Sequence, residues 1–182
     1  MKSTEHARYI FTIEDFWTAE RCEEFIRMSE AMGYEEATVE TEKGHKRIEE
    51  VRNNQRILRK DEALAQEIWE QVKEAVPSPL GNSIAVGINE LFRFYKYDPG
   101  QEFKRHRDGS YIRSESEASY FTLMIYLNED FSGGETTFNT VTIRPKTGTC
   151  LLFLHDLEHE GSALISGTKY VLRTDIMYRL VE

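Results

Sequence analysis

Apolar residues return every three to four positions in two stretches of the first eighty residues. Thr18 opens "TAERCEEFIRMSEAMG", with Phe25, Met28 and Met32 at helical spacing and Gly33 as a stop. Asp61 opens "DEALAQEIWEQVKEAVP", where Leu64, Ile68, Val72 and Val76 repeat every four residues until Pro77 ends the run. From residue 84 the rhythm changes to short segments rich in branched and aromatic residues: "SIAVGI", "ELFRFYKY", "SYFTLMIYLN", "TTFNTVTI", "GTCLLFL" and "KYVLRTDIMYRL". Turn sequences "DPGQ", "FSGGE" and "RPKTG" separate them, and the paired glycines of "SGGE" read as a turn with positive φ. Strands this short predict a sandwich or barrel. The pattern predicts an α+β, mainly β chain, with a helical buttress over 1–80 and an antiparallel β core over 84–182. No repeat, low-complexity tract or linker divides it, so a single domain is expected.

Composition narrows the partners. A chain of 182 residues that is 40% apolar and 30% charged can bury a proper core. A net charge of −9 argues against wide contact with phosphate backbones, so nucleic acid is not an expected partner. The run "KGHKRIEEVRNNQRILRK" (43–60) is locally basic, with seven Lys/Arg against two Glu. It reads either as a solvated loop with an edge strand or as a wall or lid of an active site. "MKSTEHARYIFTIEDF" lacks the apolar core of a signal peptide, and no apolar run approaches membrane-spanning length. Cys22 and Cys150 are lone thiols, and Cys150, within an apolar strand, reads as an inert core residue. A cytoplasmic protein with no membrane partner is expected; the sequence gives no signal for oligomeric state.

Candidate chemistry centres on "FKRHRDGS". On an extended strand His106 and Asp108 point to one side and Arg107 to the other. That pair suits either a shared metal or an ordinary surface hydrogen bond. Two His and one carboxylate leave open positions on a six-coordinate iron, the arrangement of non-haem Fe(II) oxygen chemistry. A third ligand must then come from His155 or His159. His159, in "HEG" at the start of a strand, is chosen over His155, which reads as a core or supporting histidine. His6 and His45 are expected at the surface. The polar stretch "GSYIRSESEAS" is expected to be a flexible loop at the barrel mouth, with Tyr111 and Arg113 as candidate substrate contacts.

Four stretches, "FRFYKYDPGQEFKRHRD", "FTLMIYLNEDFSGGETTF", "IRPKTGTCLLF" and "LEHEGSALISGTKYVLRTDIMY", resemble the prolyl 4-hydroxylase-like branch of the Fe(II)/2-oxoglutarate dioxygenases. They fall in the family's order over roughly residues 90–178. The resemblance implies a double-stranded β-helix (jelly roll, cupin-like) core with Fe(II) held by His106, Asp108 and His159. It implies O2 and 2-oxoglutarate as cosubstrates, ascorbate as an auxiliary, and hydroxylation of a C–H bond with succinate and CO2 as coproducts. A prolyl residue of a peptide or protein is the expected substrate, with a free amino acid or small metabolite as the alternative. The position ten after the distal His is a cosubstrate-binding base in this family; here it is Lys169. Tyr126 and Tyr97 match frequent 2-oxoglutarate contacts, or are core aromatics. Tyr126 shares a strand face with Met124 and Thr122, which places Thr122 near the site.

With Fe(II) at +2, Asp108 at −1, 2-oxoglutarate at −2 and Lys169 at +1, the loaded site sums to zero. Both histidines must be neutral to ligate, so metal affinity is expected to fall below about pH 6.5. Period two places Arg173 on the face of Lys169, where it either orients substrate or pairs with a carboxylate such as Asp108. Two other readings compete. A nucleic-acid demethylase on the same fold would carry Arg where this chain has Lys169 and would need a basic groove. A non-catalytic cupin-like metal-binding module would keep the fold without turnover.

Overall fold

The computed structural model describes residues 2–36, 39–41, 44–46 and 53–181. Two helices form where the caps predict. Helix α1 (Ala19–Met32) starts at Thr18, whose hydroxyl accepts from the Arg21 amide, and stops at Gly33 with φ 81°. Its buried face is Cys22, Phe25 and Ser29, whereas Met32 lies 43% exposed beyond the packed stripe. Helix α2 (Glu62–Val72) is capped by Asp61, which accepts from the Leu64 amide at 2.9 Å, and it tightens into a 3-10 turn before Pro77.

Strands build one large antiparallel sheet with a smaller one across from it. The large sheet runs Lys2–Ala7, Ile10–Glu14, Cys150–Leu154, Glu117–Tyr126, Lys169–Leu180, Leu91–Tyr97, Gln55–Lys60 and Glu35–Glu36, with Ser83–Ile88 also paired to Lys169–Leu180. Thr142–Ile143, Thr136–Phe138, His159–Gly161 and Phe103–His106 form the smaller sheet. Strand alternation gives the large sheet two different faces. Phe92, Phe94, Leu123, Ile125, Leu172 and Ile176 pack beneath the helices with Phe25 and Ile68. Tyr95, Tyr97, Tyr126, Leu151, Phe153 and Val171 face the smaller sheet and its Phe138 and Ile143. Two sheets closed over an inner core, with helices on the outer face, are the expected double-stranded β-helix with its buttress.

Three expectations change. Residues 1–80 are not a purely helical buttress: the hairpin Lys2–Ala7/Ile10–Glu14 and the strand Gln55–Lys60 lengthen the large sheet at both ends. The hairpin turns through Tyr9 at φ 65°, without the Gly or Asn that normally announces such a turn. "TTFNTVTI" is two strands, since the Phe138 amide donates back to Val141 O at 2.8 Å. The stretch 109–119 is not a loose loop, because Ile112–Ser114 pairs with the start of Glu117–Tyr126.

Part of the basic run, including residues 47–52, falls outside the described residues. Its last residues form the strand Gln55–Lys60, one in from the sheet edge. His6 is exposed, while the side chain of His45 also lies outside the described residues. Cys22 and Cys150 are both free and buried, and burial pushes both thiols up, Cys22 to about 11. Among the described residues no helix is long and apolar enough to cross a membrane.

Candidate metal centre

His106 ends the strand Phe103–His106 and His159 opens the neighbouring one, where the two are direct cross-strand partners. Pairing alone therefore brings the imidazoles together, with ring centroids 4.3 Å apart. Asp108 does not share the strand with His106, as alternation had suggested; the strand ends first. Its amide donates to His155 O at 3.1 Å instead, and the carboxylate turns back so that Oδ1 lies 3.5 Å from His106 Nε2 and Oδ2 3.8 Å from His159 Nε2. One donor atom from each of the three lies within 4.8 Å of the others.

The hydrogen bonds behind the ligands decide what this cluster can hold. His106 Nδ1 lies 2.7 Å from Lys104 O, and His159 Nδ1 2.9 Å from Leu157 O. A carbonyl only accepts, so each Nδ1 carries the proton and each Nε2 lone pair faces Asp108. Burial holds His159 neutral down to about 4, against the pull of Asp108. Proton competition at that ligand therefore begins well below the pH 6.5 expected from an ordinary imidazole. Burial would raise the Asp108 carboxyl, yet Arg173, His106, His159 and Thr122 together hold it well below the usual carboxylate range. Two imidazole lone pairs and an ionised carboxylate, with no donor between them, fit a divalent transition metal.

Lys169 opens the strand Lys169–Leu180 opposite Tyr97 and reaches into the same pocket. It is 4% exposed, and burial pushes its ammonium down to about 8, with Glu135 opposing weakly. Nζ donates to Gly134 O at 2.5 Å, and no carboxylate lies within 4.0 Å of it among the described residues. Two of its three N–H bonds remain for a ligand. The faces of Tyr97 and Tyr126 flank the charge at 5.2 and 5.6 Å.

Tyr97 lines the pocket, whereas Tyr126 stands behind it with its hydroxyl 2.7 Å from Thr136 Oγ1. Thr136 lines the cavity beside Tyr97, a place that its sequence does not announce. Gly133 and Gly134 have φ 78° and 71°, the expected turn. A Cβ on Gly134 would sit 3.1 Å from Lys169 Cδ. Gly134→Ala is therefore expected to cost about 1–2 kcal/mol of stability and to weaken ligand binding at Lys169 several-fold. Thermal melts and calorimetric titration with 2-oxoglutarate would show unchanged values if this is wrong.

Arg173 faces the cavity as period two predicts. Its Nη2 lies 3.1 Å from Asp108 Oδ1 and 3.5 Å from Asp175 Oδ1, and Nη1 donates to Tyr95 OH at 3.3 Å. Of its two expected roles, the geometry shows the carboxylate pairing. Thr122 donates to Asp108 Oδ2 at 2.5 Å. Tyr111 and Arg113 are not brought to the pocket. Tyr111 is 40% exposed on the hairpin, and Arg113 is spent on Glu117 at 2.5 Å and Glu90 at 2.6 Å.

Residues 92–174 match the model of the 2OG-Fe(II) oxygenase superfamily. That stretch, a little under half of the chain, is similar to a 2OG-Fe(II) oxygenase domain. The three metal-ready residues and Lys169 all lie within that match. The chain is 28% identical over 143 residues to a putative prolyl 4-hydroxylase of Acanthamoeba polyphaga mimivirus, covering 66% of this chain. It spans 56% of that relative's length. Its fold is similar to viral collagen prolyl hydroxylase from Paramecium Bursaria Chlorella virus-1, solved with 2OG. There the TM-score is 0.65 at 19% identity, covering 94% of this chain and 97% of that one. A prolyl hydroxylase from Trichoplax adhaerens, in complex with a hypoxia inducible factor peptide fragment, gives a TM-score of 0.70 at 16% identity, covering 94% and 83%. Fe(II), 2-oxoglutarate and O2 are the cofactors this oxygenase family implies.

Proposed function

We propose that the chain is an Fe(II)- and 2-oxoglutarate-dependent dioxygenase that hydroxylates a prolyl residue of a peptide or protein, with succinate and CO2 as coproducts. The observation that carries the reading is a shared cavity holding three metal-ready donors and a buried ammonium with two unspent N–H bonds. His106, Asp108 and His159 would hold Fe(II), which with O2 and 2-oxoglutarate supplies the oxidising power. Lys169 pairs with the remote carboxylate of 2-oxoglutarate, regaining in an ion pair what burial took from it. Tyr97, Met124 and Phe103 wall the cavity and keep water from the reacting centre. Tyr126 acts at one remove, orienting the Thr136 hydroxyl.

The charge balance needs two further members. Arg173 and Asp175 are both buried and cancel, while Arg93, which meets Asp175 at 2.9 Å, is partly open to solvent, so the buried charges of the loaded cavity still sum to zero. Prolyl peptide is preferred over a free amino acid because the similar proteins bear prolyl hydroxylase names and one of them holds a peptide. Two free, buried thiols are consistent with a reducing cytoplasmic setting. Ascorbate would serve as the auxiliary reductant.

Succinate release with prolyl peptides, set against free amino acids, tests the substrate. Stimulation by amino acids alone would replace the prolyl reading with the metabolite one. His159→Ala is expected to remove turnover altogether, a loss of at least about a thousandfold, because one of three ligands is gone. Succinate formed at the wild-type rate by that variant would end the metal assignment.

A further inference from the structure

Asp108 is gripped by a strand that carries none of the three candidate metal ligands. Thr122 Oγ1 donates to Asp108 Oδ2, and 2.9 Å behind that hydroxyl lies His155 Nδ1. His155 Nε2 is 2.9 Å from Ser119 Oγ, and the Tyr111 amide donates to Ser119 Oγ at 2.8 Å. Thr122 and Ser119 are fully buried and His155 is 4% exposed, so water does not compete for these bonds.

The two ends of this row fix its direction. A peptide N–H only donates, and an ionised carboxylate only accepts. Thr122 has one hydrogen and spends it on Asp108, so it must accept from His155 Nδ1–H. Ser119 takes the Tyr111 N–H on a lone pair and turns its own hydrogen to His155 Nε2. Every donor meets one acceptor, and this arrangement allows a single tautomer of the ring. The metal ligands carry their proton on Nδ1 because of backbone carbonyls; His155 carries it there because of a carboxylate two bonds away.

We propose that His155 is a positioning residue for Asp108, held as the neutral Nδ1–H tautomer, and that the row Ser119–His155–Thr122 ties the hairpin carrying Tyr111 to the metal-binding carboxylate. The proposal rests on the metal reading of Asp108. Arg173 holds one carboxylate oxygen and Thr122 the other, so the group cannot turn about its Cβ–Cγ bond without breaking one contact. His155 also accepts the Asp108 amide with its own carbonyl, fixing backbone and carboxylate together. If Thr122 lost the His155 donor, its hydrogen could rotate to another acceptor and release Oδ2.

Long-range nitrogen–proton correlation spectra of histidine-labelled, metal-free protein read the tautomer directly, with His155 assigned by its absence in His155→Asn. The expected pattern is a protonated Nδ1; a protonated Nε2 overturns the proposal. Anaerobic Co(II) titrations read the positioning. Thr122→Val and His155→Leu should each weaken Co(II) binding roughly tenfold or more. Thr122→Ser, which restores the hydroxyl, and His155→Asn, which restores a donor near Nδ1, should bind close to wild type. The double variant Thr122→Val/His155→Leu should bind no worse than Thr122→Val, because the two act through one bond. Losses that multiply, or an unchanged affinity in His155→Leu, overturn the role. Wild-type protein that binds no Co(II) would fail the metal reading instead, and the tautomer spectrum would still judge the row.

Discussion

Lys169→Met is expected to stabilise the cosubstrate-free protein while abolishing 2-oxoglutarate binding. The ammonium is buried with one carbonyl acceptor, Gly134 O, and two aromatic faces, and its affinity for a proton falls from 10.5 to about 8. A shift of that size corresponds to about 3 kcal/mol of folding free energy spent on keeping the charge inside. Methionine fills much the same space without the charge, and in a protein of this length each kcal/mol moves the midpoint by about 2–4 °C. The metal-free variant should therefore melt several degrees higher.

Acidity gives the test a direction. The folded state disfavours the proton on Lys169, so the cost is complete below about pH 8. It declines as the unfolded chain also loses its proton towards 10.5, and the advantage of methionine shrinks over that interval. Cosubstrate binding runs the opposite way to stability. The dianion needs the charged amine, so wild-type affinity should fall as pH rises through 8. In the variant a buried carboxylate would be left unpaired, at a cost of about 3–5 kcal/mol, a loss on the order of a hundredfold or more. Calorimetric titration and melting curves across pH 6–10 measure both effects. A lower melting point together with retained binding would remove Lys169 from the cosubstrate site.

Local chemistry explains which parts could be read from the chain. Thr18 and Asp61 are caps whose effect reaches only three residues, and both helices start where those side chains stand. "KYVLRTDIMYRL" is strand from end to end, and its alternation correctly set Lys169 and Arg173 on one face. Alternation likewise sets Tyr126 on one face with Thr122 and Met124, but its hydroxyl partner Thr136 arrives by tertiary closure, which period two does not encode. Asp108 shows the same limit. Its neighbours on the chain identify it, while the groups that hold it, Arg173, Thr122 and the carbonyl of His155, come from two sheet strands and a loop. Composition alone leaves Arg113 free to meet substrate, whereas two acids distant in sequence or across the hairpin claim it. Spacing thus reported which residues share a face, and folding decided which of them touch.

Arg173→Leu is expected to destabilise the metal-free protein more than the metal-loaded one. Among the described residues Arg173 is the one Lys or Arg within 4.0 Å of the Asp108 carboxylate, and that carboxylate is 5% exposed. Asp175 would keep Arg93 at 2.9 Å and Asn89 at 3.3 Å, so the loss falls chiefly on Asp108. Breaking a buried pair from one side costs about 3–5 kcal/mol, which for this chain length lowers the midpoint by roughly 10 °C. A divalent cation supplies the missing charge, so the rise in melting point on adding Co(II) should exceed that of wild type. Asp108 is held below the usual carboxylate range by Arg173 and its neighbours, and that stabilisation is present above the unfolded carboxylate value and lost as pH falls through the folded one. Without Arg173 the Asp108 carboxyl protonates more readily, and the gap between variant and wild type should narrow on acidification. Unchanged metal-free stability with a raised substrate KM would instead make Arg173 a substrate-orienting group, because a guanidinium that merely faces substrate has no reason to carry the fold.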